Sequence, residues 1–155
     1  MELEERVNKA VELFKSGFNC SQSVVAAFAD MYGYTEEQAL RMSAAFGGGI
    51  GRMRLTCGTA CGLFMLAGLE KGAVVGRDQV SKAETYKLVQ YLADEFKKRN
   101  GTLICAKLLG LKKSEGTFVP EARTEQYYAK RPCVRMVENA AQIWVEYQKN
   151  KQEME

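Results

Sequence analysis

The chain has 155 residues, 46% of them apolar and 26% charged, with 14 glycines and 2 prolines. That length suits one domain, residues 1–155 as a single cysteine-motif unit, and the apolar share is that of a packed core, which excludes wholesale disorder. The net charge of +3 asks for no nucleic-acid partner, and the absence of histidine removes Ser-His-Asp triads, Cys-His proteases, histidine zinc sites and the H-x-E deaminase pattern.

The predicted elements are helical throughout. Leu3, Val7, Ala10, Val11 and Phe14 recur at helical spacing, and Gly17 stops this first helix. Asn19, with Gln22 three residues on, forms a capping box for a second helix whose inner face is Cys20, Val24, Ala27 and Met31, ending near Gly33. Thr35 and Gln38 repeat the box and open a helix to about Phe46, after which Gly47-Gly48-Gly49-Ile50-Gly51 breaks the chain. Thr56 is the expected N-cap of a helix over 57–69. Asp78 caps a long one to Asn100, with Val80, Leu88, Leu92 and Phe96 on its inner face and Gly101 as its stop. A short helix over 102–109 closes at Gly110, and 111–130 reads as loop with one turn near 125–129. Pro132 suits the first turn of a final helix, where Cys133, Val137, Ala140, Trp144 and Tyr147 make the buried stripe. The fold class is all-α, a single-domain irregular bundle of about six to seven helices.

Met1-Glu2-Leu3-Glu4-Glu5-Arg6 lacks the apolar stretch of a secretory signal. The longest largely apolar run, 57–69, is interrupted by Gly58, Gly62 and Gly68 and falls short of the ~20 residues of a membrane span. The expected location is therefore cytoplasmic, with no membrane partner, where thiols stay reduced. Cys20, Cys57, Cys61, Cys105 and Cys133 are odd in number, which argues against a disulfide framework and for metal binding or redox chemistry.

On these boundaries Cys20, Cys57, Cys105 and Cys133 each fall in the first turn of a helix. Helix starts carry unpaired N–H groups and partial positive charge, which favour a thiolate, the reactive and metal-binding form. Small size near a cap, or burial in the core, explains any one of them without chemistry. Four together point to a shared site. The spacing adds little, since separations of 37 (Cys20 to Cys57), 44 (Cys61 to Cys105) and 28 (Cys105 to Cys133) match no familiar metal-binding pattern. Cys57 and Cys61 share a helix face but are not a Cys-x-x-Cys pair. Only folding can bring these sulfurs together.

Phe18-Asn19-Cys20-Ser21-Gln22-Ser23, Phe46-Gly47-Gly48-Gly49-Ile50-Gly51-Arg52, Cys57-Gly58-Thr59-Ala60-Cys61-Gly62, Cys105 ahead of Leu108-Leu109-Gly110, and Cys133 follow one another in a specific order. Over roughly residues 7–145 this resembles the C_GCAxxG_C_C family of redox-active proteins. The resemblance implies a small helical protein with no established reaction and with Cys20, Cys57, Cys105 and Cys133 as signature cysteines. Two departures stand inside the central motif. Thr59 replaces a small alanine, and Cys61 is an extra sulfur that core packing accounts for.

Four thiolates forced together in a dry interior repel and are costly to desolvate, and a bound cation relieves that cost. The first reading is that the four cysteines bind an iron–sulfur cluster or a metal such as zinc for electron transfer. Thiol–disulfide exchange by the same four, with Cys61 as a further candidate, is the second. A structural zinc site is the third, though a core of this size needs no such staple. The fourth is a scaffold with inert cysteines. Gly48, Gly49, Gly58 and Gly62 are expected to shape the backbone around the site. The Gly47–Gly51 loop with Arg52 and Arg54 has the makings of an anion-binding nest but fits no phosphate-loop pattern, so a loop shaping the cysteine site is preferred. Lys97-Lys98-Arg99 and Lys130-Arg131 read as solvated surface. The expected partner is an unidentified redox protein. The helix faces also permit a homodimer.

Overall fold

The structure, a computed structural model, describes residues 1–154. Among the described residues the chain forms α1 (Leu3–Lys15), α2 (Cys20–Ala26), α3 (Glu36–Ser43), α4 (Gly58–Lys71), α5 (Gln79–Asn100), α6 (Cys105–Leu108), α7 (Glu125–Lys130) and α8 (Cys133–Met154). Single 3₁₀ turns cover Ala29–Tyr32 and Ala44–Phe46. Six of these helices have seven residues or more, in keeping with the all-α reading, and none is long and apolar enough to cross a membrane.

The caps act as the sequence implies. Asn19 Oδ1 accepts from the Gln22 N–H at 2.9 Å while Gln22 Oε1 accepts from the Asn19 N–H at 3.0 Å. Thr35 and Gln38 make the same reciprocal pair, and Asp78 accepts from the Ser81 N–H. Each satisfies donors that a helix start leaves unpaired.

Helix α4 lies between α2 and α5, and α1 packs against α8. Phe14, Phe28, Leu63, Leu66, Leu92, Phe96 and Trp144 are fully buried between them. Each such side chain contributes about 1.5–3 kcal/mol relative to exposure, so these faces hold the bundle together. Arg6 ties α1 to the end of α2, its guanidinium donating to the Ala27 carbonyl at 3.0 Å and to Asp30.

Four expectations need correction. Helix α2 stops at Ala26 and the chain turns through a 3₁₀ segment, leaving Met31 39% exposed. Val80 is 70% exposed, more than a turn ahead of Thr85, whose hydroxyl ties α5 to the Lys71 carbonyl at the end of α4. Cys57, not Thr56, is the N-cap of α4. The short helix begins at Cys105 instead of Thr102. Here Thr56 bridges Ile104 in antiparallel fashion, with Cys57 N–H donating to Leu103 O and Cys105 N–H to Leu55 O, both at 2.6 Å. That pairing keeps residues 103–104 extended, and no helix can start before it ends.

Candidate functional site

Four of the five cysteines stand at four helix starts. Cys20 opens α2, Cys57 caps α4, Cys105 opens α6 and Cys133 opens α8. All four line one cavity of about 60 Å³, walled also by Phe14, Arg54, Arg123, Tyr127 and Met136. Cys57 and Cys105 are buried, Cys20 and Cys133 half-buried, and all five cysteines are free thiols. Cys61 lies one turn further along α4, off this cavity, its sulfur 3.8 Å from the Thr56 carbonyl.

The local chain explains the convergence. The paired segments 55–57 and 103–105 put Cys57 opposite Leu103 and Cys105 opposite Leu55, so the two cysteines flank the Thr56–Ile104 bridge on a diagonal. Gly58 lets Cys20 approach α4: a Cβ there would sit 2.7 Å from Cys20 Sγ and 2.6 Å from the Phe46 carbonyl. Gly49 does the same for Cys105, whose Cβ would lie 2.6 Å from an added methyl. Gly48 also lines the cavity, whereas Gly62 faces Val24 on α2 and serves helix packing.

The glycine loop is unusual backbone. Gly48, Gly49, Ile50, Gly51 and Arg52 all have left-handed φ, from 55° to 75°, and Arg54 follows at 61°. Glycine adopts this region freely, but Ile50, Arg52 and Arg54 pay about 1 kcal/mol or more each to stay there. The N–H groups of residues 50–55 donate to the carbonyls of Phe46, Ala45, Gly47, Ile50, Gly48 and Gly49. With these six donors spent on carbonyls of the segment itself, residues 50–55 hold no run of free N–H groups for a backbone nest. The loop carries Arg54 instead, whose Nη1 stands 3.8 Å from Cys105 Sγ.

Burial dominates the electrostatics. It pushes the Cys57 thiol far up, helped by the Cys20 sulfur and opposed by the first-turn backbone of α4 at Ala60 and Thr59. Cys133 is pushed up to about 12 by burial and by the charges of Cys20 and Cys105, against Arg131. Cys105 rises through burial although the Arg54 guanidinium pulls it back. Cys61 is pushed up to about 11 by burial and Cys20. At neutral pH these four are therefore protonated thiols unless a cation faces them.

The donor set is all sulfur, which suits soft metals and clusters. Among the described residues, however, no three His, Cys, Asp or Glu side chains stand close enough together to hold a metal ion. The sulfurs share a cavity without closing on one point.

Arg54, Arg123 and Tyr127 are wall residues that the cysteine pattern does not single out. Arg123 stacks over the Phe14 ring at 4.2 Å and donates to the Phe14 and Phe18 carbonyls at the end of α1. These partners lie more than a hundred residues away along the chain, beyond any local pattern. Arg131, expected on solvated surface, has a side chain only 17% exposed and pairs with Glu121.

A family model described as "Putative redox-active protein (C_GCAxxG_C_C)" matches residues 18–147, a span that includes all five cysteines. Neither the curated proteins nor the solved structures yield a match to the chain.

Proposed function

The chain belongs to the C_GCAxxG_C_C family of redox-active proteins, and from that premise we propose that the four-cysteine cavity is its redox centre, with Cys20, Cys57, Cys105 and Cys133 as the ligands of an iron–sulfur cluster. One observation carries this reading: sulfurs from four separate helix starts line a single small cavity. When bound, such a cluster supplies one-electron transfer.

The remaining support comes from the chain's own residues. Burial holds Cys57, Cys105 and Cys133 as thiols, so none of the three is the low-pKa nucleophile that disulfide exchange needs. Metal binding releases such protons. The helix-start N–H groups and the buried Arg54 guanidinium offset the negative charge of thiolate ligands, and hydrogen bonds of this kind tune a centre's potential. Phe14 and Met136 keep the cavity apolar on one side.

Zinc fits less well. All four sulfurs of a Cys₄ zinc site sit about 2.3 Å from one ion, and no three donors are so placed. A cluster divides its cysteine ligands among several irons and suits more widely spread sulfurs. That four free thiols line one cavity supports a second reading, metal-free thiol–disulfide exchange, in which two thiols pass two protons and two electrons to an electron-transfer partner and form one disulfide. Either reading includes a cytoplasmic location and an electron-transfer partner.

The test is iron and acid-labile sulfide content of protein isolated without oxygen. The proposal expects both in equal amounts, with visible absorption, and expects both to be lost in Cys57→Ser and Cys133→Ser. Zinc alone would move the reading to a structural site. No metal after anaerobic reconstitution with iron and sulfide would overturn the cluster and leave disulfide mapping to decide the thiol reading.

A further inference from the structure

Beside the cysteine cavity lies a larger one, about 430 Å³, lined by Arg52, Arg54, Arg123 and Arg131 together with Glu121 and Cys133. Four guanidinium groups around one cavity are electrostatically unfavourable unless anions face them. The side chains of Arg52 and Arg54 are only 13% and 8% exposed. Arg123 has its donors on the Phe14 and Phe18 carbonyls and is a structural brace. The other three face two carboxylates. Arg54 Nε donates to Glu115 at 2.7 Å, and Arg131 pairs with Glu121. Arg52 Nη2 lies 3.7 Å from Glu115 and 3.6 Å from Glu121, beyond good hydrogen-bond distance, and Arg52 Nη1 is buried with no partner at all. A buried guanidinium nitrogen without an acceptor destabilises the fold, a cost that an arriving anion would recover.

The two sides of this arrangement differ in how they are held. Arg52 and Arg54 sit on the left-handed loop, and Arg131 is the C-cap of α7, joined to α8 through Pro132 alone. Ahead of the Arg123 brace, Glu115 and Glu121 belong to the helix-free stretch 111–122, most of whose side chains are exposed, Phe118 to 89%. The arginines are built into the fold and the carboxylates are laid over them.

We propose that this cavity binds a small dianion, a dicarboxylate or a tetrahedral oxyanion, whose anionic oxygens take the places of the Glu115 and Glu121 carboxylates on Arg52, Arg54 and Arg131, as residues 111–122 move aside up to the Arg123 brace. Guanidinium forks match carboxylates and tetrahedral oxyanions equally in geometry. Asn19, Arg54, Tyr127 and Cys133 line both cavities, so the bound anion lies next to the four cysteines. The inference stands on the arginines and holds whatever those cysteines carry.

Isothermal titration of the full chain with sulfate and with malonate, at ionic strength held constant with chloride, tests it. One saturable site per chain is expected for at least one anion, and the preferred anion tells oxyanion from dicarboxylate. Arg52→Gln should weaken binding by about tenfold or more, the equivalent of one charged hydrogen bond. Glu115→Gln combined with Glu121→Gln should tighten it, an effect no loss of structure can produce. Absence of saturable binding in both the native chain and this double variant would overturn the proposal. Binding indifferent to Arg52→Gln, or not tightened in the double variant, would overturn it equally.

Discussion

Gly58→Ala puts a methyl group where the structure leaves no room. Its carbon would stand 2.6 Å from the Phe46 carbonyl oxygen, 2.7 Å from Cys20 Sγ and 3.2 Å from Gly47 Cα, whereas ordinary contact begins at 3.4 Å. The nearest obstacle is backbone, so relief requires the first turn of α4 to move away from the glycine loop by several tenths of an ångström. Overpacking of this kind costs about 1–3 kcal/mol, and the gain from replacing a helical glycine offsets up to about 1 kcal/mol. The net expectation is a loss of about 1–2 kcal/mol, or roughly 2–8 °C in Tm at about 2–4 °C per kcal/mol for a domain of this size. Two other glycines on α4 serve as controls. An alanine methyl at Gly68 meets nothing within 4 Å and should raise stability by about 0.5–1 kcal/mol. At Gly62 it would meet Val24 Cβ at 3.0 Å, and the result should fall between the other two. Thermal and urea unfolding followed by far-UV circular dichroism ranks the three. Gly58→Ala as stable as Gly68→Ala would refute the close approach of Cys20 to α4.

Arg6→Ala orphans the Ala27 carbonyl and removes the partner that holds the Asp30 carboxyl below the usual range, so urea unfolding should show a loss of about 1–3 kcal/mol. Metal-free protein should lose stability toward high pH. Thiols whose pKa is raised by folding stabilise in full below the unfolded value of about 8.5. That contribution fades as pH rises through the folded values, about 11 for Cys61 and about 12 for Cys133. Unfolding curves that are flat from pH 8 to pH 11 or rise across it would contradict the burial of these thiols. Iodoacetamide should label Cys61 and Cys133 of that protein far more slowly than a free thiol at pH 8, by peptide mass spectrometry, and labelling as fast as in urea would contradict the same point.

Much of the helical framework was readable because its signals are local. Asn19 with Gln22, Thr35 with Gln38 and Asp78 with Ser81 need only neighbouring residues to declare a helix start, and all three caps form. The burial of Leu88, Leu92 and Phe96 follows from spacing, as does that of Val137, Ala140 and Trp144. Val80 fits the same stripe and is exposed, because periodicity does not say where the neighbouring helix ends. Placement of four cysteines at helix starts was legible for the reason the caps were. Their convergence was not, since it depends on the pairing of 55–57 with 103–105 and on Gly58 yielding space to Cys20. The arginine-lined cavity was hidden further still. Arg52 and Arg54 meet Glu115 and Glu121 about sixty or more residues away, and nothing local marks Arg131 as half-buried.

The claim that the four cysteines form one electron-carrying centre is tested most directly by an optical redox titration of protein isolated without oxygen, with Cys57→Ser alongside. The account predicts visible absorption that bleaches and returns reversibly as a one-electron couple, about 59 mV per decade, and is absent in the variant. A colourless two-electron couple of about 30 mV per decade would replace the cluster with a dithiol. No reversible electron uptake at all, in protein with every cysteine intact, would contradict the claim.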